Sequence, residues 1–459
     1  MWSALVIVLS VIIYLIKIVK EGNKLTLDKW GEIFVSFFVF TNSIYYGFTL
    51  YEMDVVASIA AGIRIEIYML LIPFFLVVIG RRNNWTFPSI SWQTVLFIVL
   101  FCAINILNPS NINSNLTVLG IVRVFLYLAF LYILISSTTS HALLRGIYNG
   151  LIYTVILQGI LSFAFFVGFT EVATFFRDYA YVRSADRPGA VGTFAHPNPF
   201  AAYLSMCYCF FLSCYLLGYH KKKSLIWSIL TILVLIPSFS RTAMLSILVS
   251  TLIVISIKNT LNSSIFSAKN IFQRILPLIV VAVALVLFTP LKDSFVGSNL
   301  DEMMMARLLH YYCGWIIFTK HPIIGVGFNT HVEYMIANFN FKDMAFIDPI
   351  MIDFLYNNSI HNVFFICIAE LGLLGLAFII YFFVKRFRSI KGILRSDCNL
   401  SFKIFSLTSI GILCCFLSQG MGEPSFMGTP LRELWLLFFI ISGVKMFRYD
   451  NDISKIDKT

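Results

Sequence analysis

Long apolar runs separated by short polar connections dominate the chain. A transmembrane helix needs about 20 mostly apolar residues, and about 17 are tolerated. Several runs are shorter than this and must include flanking residues. The pattern therefore predicts an all-α polytopic membrane protein with about 12–14 transmembrane helices in a single transmembrane domain. Within residues 1–459, the runs fall at 2–16, 32–50, 66–80, 92–107, 116–137, 147–169, 199–219, 225–240, 242–257, 275–290, 361–383, 402–420 and 434–444.

The placement of the basic residues predicts the orientation of the helices. Most of the 34 Lys and Arg residues lie in alternate connections, which the positive-inside rule assigns to the cytoplasm. These connections are residues 17–29, 81–82, 145, 221–223, 258–274, 385–403 and the tail from 445. The outer face then receives a first outer loop at 170–199, Arg241, and a large outer loop at 291–360. Loops longer than about 12–15 residues often carry function, and the aromatic and Met content of the large loop predicts short helices in it.

Composition supports lipid as the solvent of this protein. The chain is 59% hydrophobic and only 12% charged, with a mean hydropathy of +0.85. A net charge of +11 could suggest nucleic-acid binding, but the basic residues lie in short clusters between apolar runs. We therefore expect no nucleic-acid partner. The nine cysteines include no C-x-x-C pair and most lie in apolar runs, which predicts neither a disulfide framework nor a metal site built from cysteines.

Arg241 divides one long apolar stretch, Ser224–Ile257, into two halves. The lysines at 221–223 and at Lys258 are both cytoplasmic by the charge rule, so an even number of crossings separates them. This predicts a tight hairpin with Arg241 at its outer tip. A charge at the headgroup level by default suggests a functional site, and the alternative is an arginine that reaches lipid phosphate.

The segment 181–199 is rich in Pro and Gly and leads directly into an apolar run. We expect an ordered, turn-rich loop followed by a helix that starts near its end. The segment contains candidate substrate-binding residues with donors suited to phosphate and sugar hydroxyls, namely Arg183, Arg187, His196 and Asn198. The alternative is that its arginines pair with neighbouring acidic residues on the surface.

Within the large outer loop, residues 301–318 have the pattern of a helix, and Pro322 follows its end. Arg307 and His310 would share one face of this helix at i, i+3 spacing. Gly325-Val-Gly327 follows no strand, so it predicts a turn and not a dinucleotide-binding loop.

His361 lies at the outer mouth of the apolar run that continues to residue 383. An imidazole with an intrinsic pKa of about 6.5 is well suited to act as a base there. The alternative is a histidine that only caps the helix.

Arg123 and Glu370 lie inside apolar runs. Ionisable residues within a membrane suggest a functional site by default. The two could pair with each other or line the site, and the sequence leaves both alternatives open.

The outer motifs, taken in order, resemble a known family. They are R-P-G-A-V-G-T-F-A-H-P-N-P-F-A-A-Y-L at 187–204, S-R-T-A at 240–243, R…W…H-P-I-I-G-V-G at 307–327, and H-N-V-F-F-I-C-I-A-E-L-G-L-L-G-L at 361–376. This ordered set looks like the landmarks of the O-antigen polymerase and O-antigen ligase superfamily. The resemblance covers roughly residues 180–380.

The resemblance implies a glycosyltransferase without a metal or other cofactor. Enzymes of this superfamily act at the outer face of the bacterial cytoplasmic membrane, where they transfer a glycan from undecaprenyl pyrophosphate to an acceptor hydroxyl. The implied partners are undecaprenyl-pyrophosphate-linked oligosaccharides and the lipid bilayer, with a chain-length regulator as a further candidate. A polymerase uses a lipid-linked repeat unit as acceptor and a ligase uses lipid A core. We favour the polymerase, because polymerases are more divergent in sequence and can occur without an outer membrane.

The family's functional residues carry over to this sequence as expectations. By resemblance, Arg241 and Arg307 hold the pyrophosphate. Arg187 is a third such arginine, although Arg183 could align in its place. His361 matches the base that activates the acceptor.

Two other classes of protein stay open. A transporter of lipid-linked sugars predicts charges along a central path and inverted repeats, and no repeat is visible. A metal-dependent glycosyltransferase could use Glu52 and Asp54, which fall on the outer side. Glu-x-Asp is a common tripeptide, so this pattern alone is weak.

Overall fold

The computed structural model describes residues 26–44, 47–52, 62–83, 92–174, 189–262, 300–339, 358–396, 398–424 and 429–441, with isolated residues between 6 and 16. In this part of the chain the architecture is that of an α-helical polytopic membrane protein, as predicted, with one short two-stranded sheet in addition. Its α-helices are α1 Leu27–Ile44, α2 Ile72–Asn83, α3 Trp92–Ile106, α4 Ser114–Ser137, α5 Ser140–Phe166, α6 Pro197–Leu216, α7 Lys221–Leu235, α8 Arg241–Asn262, α9 Leu300–Lys320, α10 His331–Asn338, α11 Val363–Arg395, α12 Leu400–Gly420 and α13 Thr429–Ile441.

Among the described residues, 6 helices are long and apolar enough to cross a membrane. They are α4, α5, α6, α8 up to Lys258, α11 and α12. The predicted run 275–290, and most of the run 2–16, lie outside the described residues. The predicted count of 12–14 transmembrane helices therefore stays a prediction.

The prediction of one apolar span over residues 32–50 is wrong at its end. Helix α1 stops at Ile44, and strand β1, Gly47–Glu52, pairs antiparallel with β2, Gly62–Glu66. The register shifts between Thr49 and Tyr51, as in a β-bulge. Aromatic and β-branched side chains in this stretch favour an extended backbone, and hydropathy alone does not distinguish such a strand from a helix.

Close contact between α1 and α5 depends on two glycines one helical turn apart. A Cβ atom on Gly146 would lie 2.6 Å from Cβ of Val35, and one on Gly150 would lie 2.7 Å from the carbonyl oxygen of Ser36. Such small residues at i, i+4 let two membrane helices approach until their backbones touch. The pair forms one side of the bundle.

The centre of the bundle is formed by α6 and α12, which pack on each other and on α8. The amide of Gln419, near the end of α12, donates to the hydroxyls of Ser246 at 2.5 Å and Ser205 at 3.3 Å. These bonds join α12 to α8 and α6 at one end of the bundle. That end also carries the residues singled out in the sequence.

Helix α11 is broken at Gly372, which has φ +60°. The freed backbone groups bond to the turn that follows α9. Two amides of the turn donate to α11 carbonyls, Val326 to Ala369 and Gly327 to Glu370, both at 2.9 Å. In return, the amide of Leu373 donates to the carbonyl of Pro322 at 2.8 Å. The Gly-Val-Gly motif is therefore a turn, as predicted, and it is bonded into the break of α11.

A second connection packs on the same turn. Asn108 donates its side-chain amide to the carbonyl of Gly325 at 3.0 Å, and Thr117 donates its hydroxyl to the carbonyl of Phe328 at 2.9 Å. Ser110 lies 2.8 Å from His321 Nδ1. The connection between α3 and α4, the turn after α9 and the break in α11 thus form one hydrogen-bonded unit.

Candidate active site

His361 lies at the entry to α11 but does not cap it. The capping residue is Asn362, whose side-chain oxygen accepts from the amides of Phe364 at 2.9 Å and Phe365 at 3.2 Å. The sequence offered a helix cap as the alternative to a base for His361. In the structure its neighbour performs the capping, so the cap alternative does not hold for His361.

The contacts of His361 assign a tautomer. Its Nδ1 lies 3.0 Å from the carbonyl oxygen of Ser359, which can only accept, so the hydrogen is on Nδ1. The same atom is 3.2 Å from Nδ1 of His310, and the two rings stack with centroids 5.2 Å apart. The lone pair of the neutral ring is therefore on Nε2, which is the atom able to accept a proton.

Burial lowers the pKa of His361 below its ordinary value, and the positive charge of Arg307 acts in the same direction. The carboxylate of Glu423 and the Ser359 carbonyl oppose this shift. Since the net pKa shift is downward, the imidazole is neutral near pH 7 and can act as a base.

Arg307 lies on helix α9, where the sequence predicted a helix, and it forms an ion pair next to His361. Its Nη2 donates to Oε1 of Glu423 at 2.7 Å. The other carboxylate oxygen, Oε2, lies 4.0 Å from Nε2 of His361. Helix α9 thus brings Arg307 and His310 to one site, as their shared face predicted.

Arg241 is the first residue of α8 and follows the short turn Ile236–Ser238, where the sequence predicted a turn between two helices. Its guanidinium is half-buried and experiences the positive charge of Arg307. A Cβ atom on Gly422 would lie 3.5 Å from Thr242, which places the start of α8 against the turn that carries Glu423. The two positively charged guanidinium groups repel each other. An anion bound to both would offset this repulsion.

The loop before α6 lies next to the Arg241 turn. The amide of Ala190 donates to the carbonyl of Pro237 at 2.8 Å. His196 caps α6, with its Nδ1 accepting from the amide of Asn198 at 3.1 Å, and the Asn198 side chain is buried. For both residues, binding of substrate stays a prediction beside these structural contacts. Arg183 and Arg187 lie outside the described residues.

Glu370 pairs with His331, and not with Arg123. Its Oε1 lies 2.6 Å from His331 Nδ1, and Nε2 of the same ring lies 2.8 Å from the hydroxyl of Ser359. Both members of the pair are buried. Because the Ser359 carbonyl contacts His361, this pair supports the segment that orients the candidate base.

Arg123 belongs to a different part of the bundle. Its Nε donates to the hydroxyl of Tyr127 at 3.4 Å on α4, and the guanidinium of Arg432 on α13 lies 5.3 Å from the centre of the Tyr127 ring. Both arginines are buried. The hypothesis that Arg123 and Glu370 form one intramembrane pair is not supported by these contacts.

Sequence reasoning missed Glu423, His331 and Ser359. A signal for Glu423 was present, because Gly420-Met-Gly-Glu-Pro interrupts two apolar runs and the charge rule puts it on the same face as the other motifs. A signal for His331 and Ser359 was weaker. Both are single polar residues in a long loop, without a motif.

No group of three or more His, Cys, Asp and Glu residues that could hold a metal ion occurs among the residues that the structure describes. Asp54 and the side chain of Glu52 lie outside them. Metal independence accordingly stays a prediction.

Residues 226–380 match the family model of O-antigen ligase. The match confirms the resemblance to the O-antigen polymerase and ligase superfamily, and it includes Arg241, Arg307 and His361. It ends before Glu423. Among curated proteins, no sequence matches the chain.

Proposed function

We propose that the protein is a metal-independent membrane glycosyltransferase that polymerises a bacterial surface polysaccharide. It transfers a glycan from undecaprenyl pyrophosphate to a lipid-linked repeat unit at the outer face of the cytoplasmic membrane. The observation that carries this proposal is the convergence of Arg241, Arg307 and His361, which come from three distant parts of the chain. The family match over the same residues supports it.

The arginines are suited to the leaving group. When a sugar leaves a pyrophosphate, negative charge develops on the phosphate oxygens. Guanidinium groups that are already oriented stabilise this charge, and their planar donors match phosphate geometry. Arg241 and Arg307 can supply this stabilisation without a divalent cation.

His361 is suited to activate the acceptor. Its unprotonated Nε2 faces the side of the ring opposite the Ser359 contact. In the reaction this nitrogen takes the proton of the acceptor hydroxyl, while the hydroxyl oxygen bonds to the anomeric carbon of the donor sugar. The bond from that carbon to the pyrophosphate oxygen breaks, and its electron pair stays on the pyrophosphate. A positioned base typically contributes about 10²- to 10⁴-fold to such a rate.

Reconstitution tests the proposal directly. The purified protein in lipid vesicles, given a lipid-linked repeat unit and excess EDTA, should form a ladder of longer lipid-linked glycans. A loss of activity that Mg²⁺ or Mn²⁺ restores would shift the assignment to a carboxylate metal site. Movement of the lipid-linked unit across the bilayer without any chain growth would contradict the enzyme proposal and favour a transporter.

The second candidate is a ligase, which the description of the matching family favours. Both acceptors can be offered in one assay, the lipid-linked repeat unit and lipid A core. Growth on the repeat unit supports the polymerase, and transfer to lipid A core supports the ligase. A deletion strain gives an independent answer, since loss of a polymerase leaves one repeat unit on the normal carrier. Loss of a ligase leaves full-length chains on undecaprenyl pyrophosphate.

A further inference from the structure

The carboxylate of Glu423 faces two groups of the candidate site with its two oxygens. Oε1 accepts from Arg307 at 2.7 Å, and Oε2 lies 4.0 Å from Nε2 of His361. The residue is only 7% exposed. A separation of 4.0 Å is too long for a hydrogen bond, yet a carboxylate and a protonated imidazole at this distance would interact strongly away from water. Arg307 is thus its bonded partner, and His361 is the nearest alternative.

The backbone that carries Glu423 is fixed to the elements of both partners. The carbonyl of Met421 accepts from the hydroxyl of Tyr311 on α9 at 2.7 Å and from the side-chain amide of Asn362 at 3.0 Å. The Glu423 amide donates to the carbonyl of Gln419, in the last turn of α12, at 3.0 Å. Any change of partner therefore requires only a rotation of the side chain.

We infer that Glu423 is a positioning residue that changes its partner from Arg307 to His361 when the donor binds. This inference rests on the proposed function, because it takes the donor to be a pyrophosphate. A pyrophosphate carries more charge than a carboxylate and offers more acceptors to a guanidinium, so it takes Arg307. The carboxylate is then buried without its cation, which is unfavourable until another positive charge forms nearby.

That positive charge forms in the transfer step. When Nε2 of His361 takes the proton of the acceptor hydroxyl, the ring becomes an imidazolium that faces Oε2 of Glu423. In this step the Glu423 carboxylate touches neither the sugar nor the pyrophosphate. Before the donor binds, Glu423 holds Arg307 and therefore competes with the donor for it. After proton transfer, Glu423 stabilises the protonated His361.

The two roles predict opposite effects on binding and turnover. Glu423→Gln keeps the shape of the side chain and removes its charge. The donor KM should fall about 3- to 10-fold, because Arg307 no longer has an anionic competitor. At the same time kcat should fall by about tenfold, a part of what a positioned base supplies. The acid limb of the pH–rate profile should move to lower pH, because the Glu423 carboxylate raises the pKa of His361.

Two further variants accompany this one. Glu333→Gln makes the same charge change on α10, where the side chain is partly exposed, and should leave KM, kcat and the pH profile unchanged. Glu423→Asp keeps the negative charge but shortens the side chain. The acid limb of its pH–rate profile should therefore stay near that of the wild type. Its kcat and donor KM should both fall by less than in Glu423→Gln.

The inference is overturned if Glu423→Gln raises the donor KM, or if it lowers kcat without any shift of the pH limb. Either result is expected from a residue that only supports the fold. If Glu423→Gln cannot be purified folded, Glu423→Asp decides, and a raised donor KM in that variant overturns the inference. A wild-type protein with no transferase activity would instead contradict the proposed function, and so would full activity in Arg307→Ala and His361→Ala.

Discussion

The candidate membrane-spanning helices differ in how far they are enclosed by the rest of the protein. In α6 and α12, 83% and 78% of the most apolar stretch is buried, whereas in α8 and α11 the share is 28%. The enclosed pair packs together at the centre and is held by side-chain hydrogen bonds such as those of Gln419. The open pair keeps most of its surface outside the protein interior.

Three ionisable residues of the site lie at the ends of these helices, whereas Arg307 comes from α9. Arg241 begins α8 and His361 directly precedes the cap of α11, so the open helices carry a proposed pyrophosphate ligand and the proposed base. Glu423 follows α12 on the enclosed side. The polyprenyl chain of the proposed donor would stay in the lipid while its pyrophosphate reacts, and the ends of the two less buried helices fit that requirement. The enclosed helices α6 and α12 provide a rigid support for the ends of α8 and α11.

The largest effect is expected from the arginines. Arg241→Ala or Arg307→Ala should lower transfer by at least about 10²-fold, as loss of a preorganised donor does elsewhere. Replacement by Lys should rescue poorly, because the charge remains but the planar two-pronged geometry is lost. Arg388→Ala, at an exposed position far along α11, is the matched control and should transfer normally. Transfer at the wild-type rate in Arg241→Ala would contradict a role of the open helices in the transfer reaction.

Stability should depend on the break in α11 more than on its regular part. Gly372→Ala has to place a Cβ at φ +60°, 2.5 Å from the Ile323 carbonyl group. We expect a loss of about 2–3 kcal/mol and a lower thermal midpoint in detergent. Gly392→Ala on the same helix meets no atom within 4 Å and should be neutral or slightly stabilising. Equal midpoints for the two variants would contradict the hydrogen-bonded unit described at the break in α11.

A smaller effect is expected inside the enclosed pair. Gln419→Leu removes the bonds that join α12 to α8 and α6, and such interhelical bonds contribute about 0.6–1.7 kcal/mol. The thermal midpoint should fall slightly while transfer stays within a few fold. Ser418→Ala, whose hydroxyl bonds only within α12, serves as the control and should change less. A complete loss of transfer in Gln419→Leu with an unchanged midpoint would show that the centre takes part in the chemistry.

The sequence was a good guide where hydropathy and turn chemistry decide the structure. The turn before Arg241, the helix carrying Arg307 and the Gly-Val-Gly turn all follow from local signals. The β1–β2 hairpin did not, because Gly47–Glu52 continues an apolar run and its extended form depends on pairing with a later segment.

Which residues pair with each other at the site was harder to predict than which residues belong to it. Glu370 could have paired with Arg123 by hydropathy alone, yet the fold of the long loop brings His331 to it. Glu423 has no motif, and only packing of the turn after α12 against α9 reveals its two partners. Ion pairs between distant segments depend on tertiary geometry, which local patterns do not contain.

Single-turnover transfer by His361→Gln distinguishes a base at this position from a residue with only a structural role. Glutamine keeps a hydrogen bond but takes no proton, so this variant should bind the polyprenyl pyrophosphate donor almost normally and transfer no faster than His361→Ala. In the wild type, the rate should rise with pH through a midpoint below about 6.5 and then level off, because desolvation lowers the pKa of the partly buried imidazole. Full transfer by His361→Gln, or a wild-type rate that does not change across this range, would contradict the assignment of His361 as the base.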